Sequence, residues 1–108
     1  MLPFMSLDAV TSPAIGASRD LETVASDITL VISTDVAAGA VHVDLEGSFD
    51  GENWFVIASA SYGSGGGGTE IARNPDYRAR YVRARATTVD ANHVVSAWIG
   101  VILPPGSG

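Results

Sequence analysis

The clearest pattern in the chain is a change in hydrophobic spacing between residues 28 and 49. Residues 28–34 read Ile-Thr-Leu-Val-Ile-Ser-Thr, a β-branched and nearly continuous apolar run that is typical of a central strand. Residues 40–49 alternate instead between an apolar and a polar face, with Val41, Val43, Leu45 and Phe49 against His42, Asp44, Glu46 and Ser48. This second segment is predicted to be a strand with its apolar face directed inward.

Shorter segments along the rest of the chain also have strand character. They are rich in β-branched, aromatic or small residues between turn residues, and they predict strands over 6–10, 21–25, 54–61, 69–73, 78–88 and 93–103. No segment keeps a helical period. About seven or eight closely spaced strands predict an all-β fold, namely a single antiparallel β-sandwich or a jelly-roll-like domain.

The 108 residues fit one domain. Residues 1–20 contain Pro3, Pro13 and Gly16 and are predicted to form an extended N-terminal arm, while residues 21–103 form the β-sandwich domain. Proline has no backbone N–H, so Pro104 and Pro105 stop strand pairing. Residues 104–108 are therefore predicted to be a flexible C-terminal tail.

A hairpin turn is predicted at the end of the alternating strand. Asp50 and Gly51 tolerate the positive φ angles of a tight reversal, Asn53 closes the turn, and Trp54 begins the aromatic return strand. These four residues form a structural turn. Residues 62–68, which are mostly glycine, are predicted to be a flexible surface loop, because no lysine and helix follow them to bind a phosphate.

Composition and charge exclude several classes of protein. The net charge of −6 and the absence of lysine argue against nucleic-acid binding. The chain has no cysteine, which excludes disulfides, thiolate catalysis and cysteine-ligated metals. The first residues lack the basic region of a signal peptide, and no apolar run is long enough to span a membrane. We therefore expect a protein made in the cytoplasm, with no membrane partner.

Five of the six arginines lie between residues 73 and 85. In the predicted strand over 78–88, Arg78 and Arg80 share one face, and Arg83 and Arg85 share the other face with Tyr81. Guanidinium groups on both faces indicate either a bulge near Tyr81 or pairing with acids on a neighbouring strand or subunit. We favour cross-strand pairing with Asp44 and Glu46, and we keep the four arginines as candidate interface residues.

The remaining chemistry predicts no catalytic site, no metal site and no cofactor. His42 and Asp44 lie two apart on one strand face, but a metal would need a third ligand from Glu46 or His93. No nucleophile motif precedes a helix. The aromatic residues have the shape of a sugar-binding platform, although packing explains them more simply; they are Trp54, Trp98, Tyr62, Tyr77 and Tyr81.

Three motifs resemble a recurring small virion protein of tailed bacteriophages. In order, they are Gly47-Ser48-Phe49-Asp50-Gly51-Glu52-Asn53-Trp54-Phe55, Ala79-Arg80-Tyr81-Val82-Arg83-Ala84-Arg85 and Val94-Val95-Ser96-Ala97-Trp98-Ile99. The resemblance covers residues 20–102. A similar hairpin and Tyr-Val-Arg strand occur in discoidin-like carbohydrate-binding domains, but this chain is shorter and lacks their pair of terminal cysteines.

The resemblance implies a non-enzymatic structural component of the virion. The specific expectation is a capsid decoration, or cement, protein on the outer capsid surface that bridges major capsid subunits and associates with copies of itself as a trimer. The apolar start of the arm then supplies candidate interface residues, namely Leu2, Pro3, Phe4 and Met5. A tail or baseplate module and a glycan-binding β-sandwich are the alternatives.

Overall fold

The computed structural model describes residues 3–34, 40–62, 68–89 and 94–102. Within these ranges the chain forms eight strands and no helix, so the all-β antiparallel prediction is confirmed. The strands are β1 Phe4–Val10, β2 Ala14–Ile15, β3 Arg19–Thr34, β4 Val41–Ser48, β5 Trp54–Tyr62, β6 Gly68–Arg73, β7 Ala79–Val89 and β8 Val95–Ile102.

All eight strands belong to one hydrogen-bonded sheet in the order β1-β8-β3-β7-β4-β5, with β6 also paired to β3 and β2 to β7. The long strand β3 divides this sheet into two parts. Its residues 26–34 pair with β8 and β6, and with β1 these strands make up the β8 half-sheet. Its residues 19–25 pair with β7, and with β2, β4 and β5 these strands make up the β4 half-sheet.

Strand β3 replaces the two strands predicted over 21–25 and 28–34. The register changes between Ser26 and Thr29, and Asp27 lies in this irregularity with a φ of 55°. A residue in the left-handed region bends a strand without ending its pairing. The chain therefore passes from one half-sheet to the other within a single strand.

The core is one hydrophobic cluster with members from both half-sheets. Alternate residues of β3 and β8, such as Leu30, Ile32 and Ile99, meet Val43 and Leu45 of β4 in this cluster. All five of these side chains are fully buried. Two inner faces that share one core are the basis of a sandwich.

The described part of the predicted arm is extended and lies within the sheet. Strand β1 runs antiparallel to β8, and Phe4 and Leu7 are buried in the shared core. The hydroxyl of Ser6 accepts a hydrogen bond from the Ala84 N–H at 2.9 Å and donates one to the Ala17 carbonyl at 2.7 Å. Deleting residues 1–20 would therefore remove core side chains as well as surface ones.

Several predictions concern residues outside the described ranges. These are the glycine-rich loop at 63–67, the turns at 36–39 and 90–92, the tail at 104–108, and the side chains of Leu2 and His93. Within the described residues, no helix has the length and apolar character needed to cross a membrane.

Candidate interaction surfaces

The turn between β4 and β5 is built around the side chain of Asp50. Its Oδ1 accepts hydrogen bonds from the backbone N–H groups of Asn53 and Glu52, both at 2.8 Å, and from the Ser48 hydroxyl at 2.9 Å. Its Oδ2 accepts one from the Asn53 amide at 2.6 Å. The Asn53 and Glu52 backbone donors hold the pKa of Asp50 well below its ordinary value. The turn is thus a local structural unit.

Gly51 occupies the left-handed position of this turn, with a φ of 80°. We expect Gly51→Val to lower the free energy of unfolding by about 1–2 kcal/mol, because a side chain in this region approaches the following carbonyl. Denaturant unfolding measures the change. Gly51→Asn is the matched control and should cost less, since asparagine tolerates this conformation. Equal stability of Gly51→Val and the parent chain would show that the turn relaxes freely.

The outer face of the β4 half-sheet carries charges that are already paired. Arg83 Nε lies 2.7 Å from Glu46 Oε1, and the Arg85 Nη1 lies 3.8 Å from Glu46 Oε2. The Arg83 guanidinium also lies over the ring of Trp54, 4.0 Å from its centroid. The predicted cross-strand pairing is confirmed at Glu46, which is 5% exposed. Both arginines link β7 to its neighbour β4, and Arg83 also reaches across β4 to Trp54 of β5.

The other acid of this face, Asp44, has different partners. Its Oδ1 accepts a hydrogen bond from the Ser59 hydroxyl at 2.6 Å and lies 2.8 Å from His42 Nε2. Glu46, the other neighbouring acid, is engaged by Arg83. No three metal-ligating side chains converge within the described residues. His42 and Asp44 therefore form a side-chain pair within β4, on the outer face of the sheet.

The other two candidate interface arginines lie near the start of β7. Arg80 forms a two-pronged ion pair with Asp20, at 2.8 and 3.0 Å, and its hydrogen bonds lower the pKa of Asp20. Arg78 is exposed and lies beside Tyr77 at the rim of a groove. Of these two, Arg78 is the one that the structure places at a concave surface.

The outer face of the β8 half-sheet carries a row of apolar side chains. Met5 lies opposite Trp98, Trp98 opposite Val31, and Val31 opposite Ile71, so that the four residues cross the strands β1, β8, β3 and β6. Met5 is 41% and Ile71 64% exposed, and the two between them are half-buried. We call these four residues the apolar row.

The surroundings of the apolar row are mostly uncharged. The residues before and after it on the same face of β8, β3 and β6 are Ser96, Gly100, Thr29, Ser33, Thr69 and Arg73. Arg73, the charged member, is paired with Asp27. An apolar stripe on a face with little charge is a candidate contact surface. The outer face of the β4 half-sheet differs, because it carries the ion pairs of Glu46 with Arg83 and Arg85.

The arm residues that were predicted as interface have three different environments. Phe4 is buried, and the Arg19 guanidinium lies over its ring, 4.4 Å from the centroid. Pro3 is exposed beside Gly100, and Met5 belongs to the apolar row. Pro3 and Met5 are thus accessible to a partner, whereas Phe4 packs inside the domain.

A second apolar surface lies at the end of the sandwich where β4 turns into β5. Rings of Phe49 and Phe55 have centroids 5.6 Å apart, and those of Phe55 and Tyr77 are 6.2 Å apart. With Val56, Asp76 and Arg78 they line an open groove of about 470 Å³. We call this the aromatic groove.

Phe49 contradicts the predicted alternation, in which its side chain points inward. It is 61% exposed, because β4 ends at Ser48 and the turn begins there. The Ser48 side chain is fully buried instead, and its hydroxyl accepts a hydrogen bond from the Gly51 N–H at 2.9 Å. The need to satisfy turn N–H groups therefore overrides the hydrophobic pattern at this position.

The five aromatic residues considered as a sugar platform do not form one surface. Trp54 lies under Arg83, Tyr81 lies beside Gly51 and Arg80, and Trp98 belongs to the apolar row. Tyr77 is in the aromatic groove, and the side chain of Tyr62 is outside the described set. Sequence reasoning missed Phe49 and Phe55, although both flank the predicted turn.

No protein-family model matches the sequence, and no curated protein matches it. Among solved structures, the crystal structure of the SPBc2 prophage-derived protein YomS is similar, with a TM-score of 0.57 and 11% sequence identity. The match covers 94% of this chain and 92% of YomS. The two chains share a fold.

Proposed function

We propose that this chain is a non-enzymatic structural protein of a tailed-phage virion, and specifically a capsid decoration protein that bridges major capsid subunits. The observation that carries the proposal is the likeness in fold to a prophage-derived protein over nearly the whole length of both chains. The hairpin, Tyr-Val-Arg and Trp98 motifs resemble those of small virion proteins, which adds support from the sequence.

The apolar row is the surface that we assign to the contact with the capsid. A decoration protein binds from outside, and burial of exposed apolar area supplies about 25 cal/mol per Å². Met5 and Ile71 are the most exposed members of the row. The face around them brings little charge that would have to be desolvated. Many copies, each with a modest contact, sum to a large stabilisation of the shell.

The test is binding of the full chain to capsids of its own phage that were assembled without it. Sedimentation should show the chain on tailless capsids, and Met5→Asp with Ile71→Asp should weaken this binding at least tenfold, or by about 1.4 kcal/mol, since a carboxylate would be buried unpaired. Ile15→Asp is the control, because Ile15 is 57% exposed on β2, outside the apolar row.

The outcomes separate the alternatives. Binding to purified tails but not to capsids would overturn the decoration role in favour of a tail or baseplate module. Absence from both would overturn the virion role. Light scattering of the purified chain tests the proposed trimer. The contribution of the arm to the trimer is tested by Met5→Asp and not by deletion of the arm, because a deletion would also remove Phe4 and Leu7 from the core.

A further inference from the structure

The aromatic groove combines exposed aromatic rings with charged side chains at its rim. Phe49 is 61% and Tyr77 45% exposed, and both rings contact Phe55, which packs against the core. Asp76 and Arg78 directly precede and follow Tyr77 and line the same groove. Its volume of about 470 Å³ lies within the range of roughly 300–1,000 Å³ that is usual for small-ligand sites. We infer that the aromatic groove binds a neutral saccharide, a function separate from the contact assigned to the apolar row.

The rim offers both a hydrogen-bond acceptor and a hydrogen-bond donor. Within the described part of the chain, no ion pair or hydrogen bond joins the Asp76 carboxylate or the Arg78 guanidinium to another residue. The other five arginines each contact an acid or an aromatic ring. A carboxylate only accepts hydrogen bonds and a guanidinium only donates them. Sugar hydroxyls do both, so one saccharide can satisfy both rim groups.

The two charges at the rim favour a neutral ligand over a charged one. An anionic sugar that paired with Arg78 would also approach Asp76, on a chain whose net charge is −6. A cationic sugar that paired with Asp76 would in turn approach Arg78. A neutral saccharide avoids both repulsions, and its hydroxyls still form hydrogen bonds to charged groups, which are stronger than those between neutral groups.

The aromatic rings provide surfaces that match the apolar C–H faces of sugar rings. The planes of Phe49 and Phe55 are inclined by 39°, and those of Phe55 and Tyr77 by 49°. Successive units of an oligosaccharide are also rotated relative to one another, so inclined rings can pack on consecutive units. A proline-rich peptide has apolar faces as well, but proline lacks an N–H, so this peptide would leave the Asp76 carboxylate without a donor.

Local hydrogen bonds hold the two turns that carry the groove. Phe49 belongs to the turn that is organised by the Asp50 carboxylate. In the other turn, the side-chain oxygen of Asn74 accepts a hydrogen bond from the Asp76 N–H at 3.1 Å, and its backbone carbonyl accepts one from the Tyr77 N–H at 3.3 Å. A site that is already held in its binding conformation loses less conformational entropy when the ligand binds.

Titration of the full chain with simple sugars tests this site. The probes are the methyl glycosides of glucose, galactose, mannose and N-acetylglucosamine, and NMR follows the ring signals of Phe49, Phe55 and Tyr77. At least one glycoside should shift these signals in a saturable manner. Sorbitol has hydroxyls but no sugar ring, and it should leave the signals unchanged. The uronate and the amino sugar that correspond to the binding glycoside should bind more weakly than the glycoside itself.

Substitutions locate the binding in the groove. Phe49→Ala and Tyr77→Ala should each weaken it on the order of tenfold, because each removes an apolar contact with the ligand. Arg78→Met removes the donors, retains an apolar stem and should weaken binding as well. Ile71→Ala is the matched control and should bind normally, since Ile71 is 64% exposed but belongs to the apolar row. All four side chains are exposed, so the fold should remain intact.

Four outcomes would overturn the inference. Ring signals that respond to none of the glycosides would remove the saccharide, and tighter binding of the uronate or the amino sugar would contradict the argument from charge. Unchanged affinity in both Phe49→Ala and Tyr77→Ala would place the sugar elsewhere on the chain. Shifts with poly-L-proline but with no glycoside would assign the groove to a peptide, and shifts on concentrating the chain alone would assign it to a second copy.

Discussion

Arg83→Ala is expected to lower the free energy of unfolding by about 3–5 kcal/mol, the range for removing one partner of a buried ion pair. The Glu46 side chain is 7% exposed and the Arg83 side chain 17%. Without Arg83, the Glu46 carboxylate would retain Arg85 at 3.8 Å as its nearest described cation. The contact between the guanidinium and Trp54 would be lost as well. Urea unfolding followed by tryptophan fluorescence measures the change.

Two controls separate the buried charge from the loss of a side chain. Arg80→Ala breaks an ion pair of similar length with Asp20, but both side chains are more than one third exposed and screened by water, so a much smaller loss of stability is expected. Glu46→Leu combined with Arg83→Met removes both charges and retains apolar volume. This double variant should be more stable than Arg83→Ala. Equal losses for Arg83→Ala and Arg80→Ala would contradict the argument.

The sequence predicted the features of the fold that depend on local pattern. The β-branched run at 28–34 lies in the central strand β3, and the alternating segment becomes β4. Asp50 and Gly51 turn the chain where a residue with positive φ is needed. These features are encoded by neighbours in sequence, because strand alternation and turn geometry involve only a few consecutive residues.

The candidate surfaces depend on register, which a single sequence does not specify. Met5, Val31, Ile71 and Trp98 are far apart in the chain and form a row only after β1, β8, β3 and β6 align. The local signal for the row was the nearly continuous apolar run at 28–34, which indicates a strand with apolar residues on both faces. Phe55, which contacts Phe49, also meets Tyr77 for a similar reason, because the loop before β7 folds toward the β4–β5 turn.

Gly47→Val is expected to lower the free energy of unfolding by about 3 kcal/mol, near the upper end of the usual cost of overpacking. A Cβ atom at this position would lie 2.7 Å from both Ala79 Cβ and Ile57 Cδ1. The Ala79 Cβ is attached directly to the backbone of β7 and cannot rotate away. Strands β4 and β7 would therefore have to separate next to the Glu46–Arg83 pair. Thermal and urea unfolding both measure the loss.

A matched glycine and a compensating substitution test the steric cause. Gly100→Val on β8 is the control, since among the described residues a Cβ there would meet only Pro3 Cγ at 3.8 Å, an ordinary contact, and valine favours strands. Ile57→Ala removes Cδ1 and Cγ1, two of the three atoms nearest to a Cβ at residue 47, and leaves Ala79 Cβ in place. Volume is then transferred between two adjacent core positions, so the double variant Gly47→Val, Ile57→Ala should lose less stability than the sum of the single variants. Strict additivity would show that residue 47 and Ile57 do not compete for the same space, and the loss in Gly47→Val would then have to arise from β7 alone.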